Sequence, residues 1–227
     1  MKKETNSIFL KVRLTFTEEA LGSQPSDPDI HETYIASLAP TAELSAEEVE
    51  NIKAQNAENG ITVFYKQADG TPCFTDNQIV GMFKESFKML KISGKEGFSG
   101  GKACSKITNY KQAIDGGLFV YPRYIPIDLH GMKMGYCVRS LRASTPMGPR
   151  TSIAKSETVP EGSTLEFTVR LDNPKLEAPV YECLDYGERH GLSQWRNAGK
   201  GRFVWDLLDE NGRIIGGNNE FEGEEDD

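Results

Sequence analysis

Gly191-Leu192-Ser193-Gln194-Trp195-Arg196-Asn197-Ala198-Gly199-Lys200-Gly201-Arg202-Phe203 puts three cations and a tryptophan among three glycines, directly before an apolar stretch. Glycine lets a backbone adopt positive φ and approach a partner closely. Cations around such a loop suit phosphates, and an indole suits either a base or a protein core. The segment lacks the G-K-[ST] ending of a nucleotide-binding loop. It also runs from a helix into a strand, the reverse of that geometry. Its chemistry therefore fits a strand of nucleic acid better than a nucleotide. Arg196, Lys200 and Arg202 are candidates for phosphate contact. Trp195 fits a stacking platform or a core anchor for the last strand.

Four more phosphate candidates, Lys84, Lys102, Lys106 and Arg139, come from the charge pattern. The net charge is -8, yet it is unevenly spread. Residues 84–150 carry 12 cations and 4 anions, whereas 1–83 carry 6 and 13, and 151–227 carry 8 and 17. A basic centre between acidic flanks points to a local polyanion site, although a lysine run also solvates a helix face. Cys73, Cys104, Cys137 and Cys183 form no close pairs, and His31, His130 and His190 stand alone. Metal ligation wants close pairs, so no metal, cofactor or catalytic residue is assigned. A mean hydropathy of -0.50 and the lack of a long apolar run argue against a membrane span. Without an apolar region behind Met1–Asn6, the expected location is cytoplasmic.

These residues need elements to position them. Ile8–Phe16, 61–66, 118–127, 135–143, 165–171 and 202–208 read as strands, and Glu210-Asn211-Gly212 turns the chain into Arg213–Ile215. Ile79, Val80, Phe83, Phe87 and Leu90 form one stripe of a helix over 77–90. Asn173-Pro174 caps a second helix with Leu176, Val180 and Leu184 inside. Ser45 with Glu48 opens a short extra helix. The glycines of 93–105 predict a flexible loop, and 156–162 a turn. Arg139 and Arg142 face opposite sides of a regular strand. The order predicts an α+β fold: a ferredoxin-like (RRM-like) βαββαβ core, an antiparallel sheet backed by two helices. One domain is expected over 1–217, with an insertion at about 21–75. The tail 218–227 is acidic and expected to be disordered.

Gly191–Phe203 followed by Val204-Trp205 resembles the C-terminal glycine-rich motif of the RAMP superfamily, which includes backbone subunits of type III CRISPR effector complexes. Lys200 stands where that motif has an aromatic. Val159-Pro160 with Gly162-Ser163-Thr164 is similar to the family's entry into its third core strand. Asp69-Gly70, then Ile79–Lys84, is similar to its turn and first helix. The chain also resembles proteins carried by phages, which implies a phage- or prophage-encoded member. The resemblance implies a protein that binds single-stranded nucleic acid, RNA or DNA, and assembles side by side along it as a homo-oligomer or filament. Asn59-Gly60-Ile61-Thr62-Val63-Phe64 holds no carboxylate where the resemblance to cleaving relatives would place an Asp, so a non-catalytic role is expected. Two alternatives remain. One is an interaction module that inhibits or mimics a CRISPR effector subunit, with CRISPR or replication proteins as partners of the acidic tail. The other is an endoribonuclease using His31 or Tyr34.

Overall fold

The computed structural model describes residues 7–25, 61–95, 101–145 and 148–219. His31, Tyr34, the helix expected after Ser45, the bulk of the 21–75 insertion, and residues 220–227 of the acidic tail lie outside the described residues.

Strand β1 (Ile8–Phe16) alternates, and its Leu10, Val12, Leu14 and Phe16 are buried. It lies between β11 (Thr164–Leu171) and β12 (Phe203–Leu208), antiparallel to both. Strand β7 (Leu118–Tyr121) pairs with the far end of β11, and β13 (Ile214–Gly217) flanks β12. Next to the near end of β11 come β8 (Tyr124–Asp128), β6 (Pro72–Thr75) and β5 (Tyr65–Lys66). All neighbours in this sheet are antiparallel.

Helices α1 (Asp76–Lys95) and α4 (Glu177–His190) pack on each other and on the sheet's apolar face. Ile79, Phe83, Phe87 and Leu90 of α1 are buried against Val180, Cys183 and Leu184 of α4. Gly187 explains how closely α4 sits on β12: a Cβ there would lie 2.2 Å from the Phe203 ring. The architecture is thus α+β, with an antiparallel sheet and helices on one face.

A second sheet is built on the hairpin of β9 (Gly135–Thr145) and β10 (Gly148–Val159). Strand β10 also pairs with β2 (Ala20–Leu21) and, in parallel, with β4 (Ile61–Val63). Strand β3 (Gln24–Pro25) closes that edge, with Pro25 opposite Thr62 of β4. Glu157 is buried where the two sheets meet. Its carboxylate accepts from the Phe64 backbone N–H at 3.1 Å and from Lys66 at 2.8 Å.

Several expected boundaries change. Part of the expected flexible loop is helical: α1 runs to Lys95 and α2 (Lys102–Ser105) follows Gly101; beyond the loop, α3 (Tyr110–Gly117) precedes β7. The strand expected over 118–127 is two strands, broken at Pro122, which has no N–H for a ladder. The turn expected from 156 begins only at Pro160, because β10 pairs residue for residue with β9 up to Thr158.

Candidate nucleic-acid interface

The glycine-rich segment is tied down at both ends. Helix α4 stops at Gly191 (φ 81), whose N–H still donates to the Gly187 carbonyl at 2.7 Å. Leu192 donates to the Gly201 carbonyl at 2.8 Å, and Gly201 to that of Glu19 at 2.9 Å. The Thr17 N–H donates to the Arg202 carbonyl at 2.9 Å, and the Ser193 hydroxyl to the Leu21 carbonyl. Gly201 adopts φ +70, and a Cβ on it would stand 2.0 Å from the Leu192 carbonyl oxygen. Only glycine fits where two backbones cross so closely.

Between these ties the chain lifts out one ring. Ser193 (φ 79) and Trp195 (φ 57) both adopt the left-handed region, and a short 3-10 turn, Arg196–Ala198, follows. A bulky residue at positive φ is uncommon and costs about 1–3 kcal/mol. The Trp195 side chain is nevertheless 40% exposed. Arg139 of β9 holds it from one side, with its guanidinium 5.1 Å from the ring centroid. The same guanidinium donates to Gln194 Oε1 at 2.8 Å and to Ser156 Oγ at 3.4 Å. Its Nε–H is buried without a partner among the described residues. Burial pushes the Arg139 guanidinium below the usual arginine value. The core-anchor role falls instead to Trp205, which is 7% exposed, stacks on Tyr181 and donates to Asp185 at 3.0 Å.

The other sequence candidates divide by their partners. Lys200 meets Glu19 at 2.9 Å and Glu18 at 3.8 Å; the Glu19 hydrogen bond raises its pKa. Arg196 pairs with Glu85 of α1, which His190 also approaches at 3.3 Å. Burial alone would raise the Glu85 carboxyl, but Arg196 and His190 outweigh it and hold the group below its ordinary value. Lys84 pairs with Asp115 of α3. Arg202 is exposed and has no ion pair among the described residues.

Lys102 and Lys106 are exposed around α2, which Glu182 anchors through the Ala103 and Cys104 N–H groups. Glu182 lies nine residues before Gly191 on α4, roughly 14 Å along the helix. The fold therefore gathers Arg139, Trp195, Arg196, Lys200 and Arg202 around one segment. Lys84, Lys102 and Lys106 stay among the helices. Gln194 belongs to the group and was not anticipated; a lone amide before a tryptophan gives no signal in sequence.

A cavity of about 740 Å³ opens elsewhere, between β6, β8 and β11. Asp69, Asp128 and Glu166 line it and no Lys or Arg does, so it does not suit phosphate. Among the described residues no group of three His, Cys, Asp or Glu could hold a metal ion, and no helix is long and apolar enough to cross a membrane.

No protein-family model matches the chain, and no curated protein matches it. Among solved structures, it is similar to a chain of the type III-B Cmr-β complex bound to cognate target RNA, with a TM-score of 0.47 and 12% identity. The match covers 89% of this chain and 59% of that one, so this chain spans under two thirds of its neighbour's length.

Proposed function

We propose that this chain is a non-catalytic protein that binds single-stranded nucleic acid, with Trp195 stacking on a base and Arg139 and Arg202 serving the adjacent phosphates. One observation carries the reading: an exposed indole, held in a costly backbone conformation and braced from one side by a half-buried guanidinium. Such a ring offers its open face to any base, because every base has a π-face. On this reading the sheet order β12-β1-β11-β7, with α1 and α4 behind it, is a ferredoxin-like core of the RAMP type, elaborated within a single domain. Copies then line up along a strand.

Anisotropy of a fluorescein-labelled 20-nucleotide oligo-uridylate or oligo-thymidylate at low salt tests this. Trp195→Ala lowers affinity by about 1–3 kcal/mol, the usual worth of one stacked base. Trp195→Phe restores much of it. No binding by the wild-type chain, or equal binding by Trp195→Ala, sinks the proposal.

A second reading, a protein-interaction module that docks on or mimics an effector subunit, draws on a different observation. Lys84, Arg196 and Lys200 are already neutralised by carboxylates within the chain. A protein partner retained from nuclease-treated lysate, with no oligonucleotide affinity, favours it.

A further inference from the structure

The face of the large sheet turned away from the helices is rich in rings. In an antiparallel sheet, directly paired residues share a face. Phe9 of β1 pairs with Arg170 of β11, and Arg170 with Phe119 of β7. One step along, Lys11 pairs with Thr168, and Thr168 with Tyr121. The strand partners Leu10, Val120 and Val169 point the other way into the core. Phe9 is 63% exposed, Tyr121 50% and Phe119 37%.

Single exposed apolar residues need no explanation. Three rings in two adjacent rows of one open face do. Ring pairs can stabilise a sheet when they sit directly opposite each other. Phe9 and Phe119 do not, because Arg170 stands between them. The Arg170 guanidinium lies 5.9 Å from the Phe9 ring centroid and is steadied by Asp172 at 2.8 Å.

The spacing sets what fits. Phe119 and Tyr121, two residues apart, stand about 6.6 Å apart along their strand. Phe9 is two strands away from Phe119, about 9.6 Å. Flat rings at these intervals, with a guanidinium between and Lys11 beside them, suit unstacked bases with intervening phosphates. The charge balance sets what kind of binding results. Lys11 and Arg13 share Glu166, at 3.5 and 2.7 Å, and Arg170 is paired with Asp172. The face is close to neutral, so it attracts by stacking more than by charge.

We propose that this sheet face is a second contact surface for the same single strand, on which Phe9, Phe119 and Tyr121 each take a base and Arg170 and Lys11 steady the backbone between them. It rests on the nucleic-acid reading above and extends it from one ring to a path. The face adds only one or two phosphate contacts, so it steepens the salt dependence by about 1 in log Kobs against log[salt].

The test compares the full chain with Phe9→Ser/Tyr121→Ser, using labelled 8- and 20-nucleotide oligo-uridylate and oligo-thymidylate at two salt concentrations. Expected is a loss of roughly tenfold or more in affinity, with a salt slope shallower by no more than about 1, and recovery in Phe9→Tyr/Tyr121→Phe. A photo-crosslink from a 4-thiouridine oligomer to a peptide containing Phe9, Phe119 or Tyr121 supports the same conclusion. Wild-type affinity in a double variant with native circular dichroism overturns the platform while leaving Trp195 in place. No binding by the wild type overturns both readings. Loss of a protein partner in the double variant, with oligonucleotide affinity unchanged, also overturns it. If the double variant fails to fold, Phe9→Ser alone carries the same comparison.

Discussion

Glu85 shows how one carboxylate can decide what neighbouring cations are free to do. It takes up Arg196 and approaches His190, so α1, α4 and the glycine-rich segment meet at a single group. Its pKa lies below the ordinary 4.5 because those partners outweigh its burial. A depressed carboxylate contributes stability above its unfolded pKa and loses it as pH falls through the folded value. Glu85→Gln should therefore flatten the acid limb of a urea-unfolding profile below about pH 4.5, with little change in the shape of the curve near neutrality. An unchanged acid limb would remove Glu85 from this role. Sequence alone made Arg196 a phosphate ligand. It gave no means of seeing Glu85, which lies 111 residues earlier and meets it only once two helices pack.

At the scale of elements, legibility followed periodicity. Strand β1 and helix α1 carry apolar residues at periods of two and near 3.6; the strand formed where the pattern placed it, and the helix began there but runs on past Leu90 to Lys95. The short helices did not show. Helix α2 has one buried side chain, Cys104, and α3 ends in Gly116-Gly117, a poor helical sequence. Tertiary contacts fix them instead: Tyr110 stacks on Phe87, and Glu182 accepts two N–H groups of α2 at 2.8 and 2.9 Å. An acceptor lent by another helix leaves no trace in the local sequence. Glu182→Ala should cost about 1–3 kcal/mol in denaturant unfolding and speed amide exchange at Ala103 and Cys104. Exchange as slow as in the wild type would show that α2 holds without it. Strand β10 was hidden for a related reason. Its Gly148–Ser156 portion lacks alternation and is defined by its ladder with β9.

Across the whole molecule the linear charge map does not reveal which cations folding pairs with carboxylates. The basic centre is present in sequence, but folding pairs Lys84 of that centre, and Arg196 and Lys200 of the loop, with the internal carboxylates Asp115, Glu85 and Glu19. Of the group around Trp195, Arg139 and Arg202 have no ion pair among the described residues and are the two cations that the proposed site offers to phosphates. Each neutralised phosphate adds about 0.7 to the salt slope for a single strand. Log Kobs against log[salt] should thus fall with a slope of about −1 to −3. A slope near −6 would mean that the paired lysines and arginines release their partners on binding. The site itself was half legible. Trp195 could be found by composition, whereas its brace, Arg139, is 56 residues away in sequence and meets it only through the hairpin. The sheet-face rings escaped notice because a phenylalanine in a strand reads as core until the register assigns its side.

The small edge formed by β3 and β4 has one more consequence. Pro25 and Thr62 sit opposite each other, so the polypeptide that leaves after Pro25 returns at Ile61 beside its own point of departure. The two strands thus hold both ends of the intervening sequence at one place, whatever its length. Loop-closure entropy grows only slowly with length, so changes in the number of residues between Pro25 and Ile61 should by themselves cost the β3–β4 pairing little.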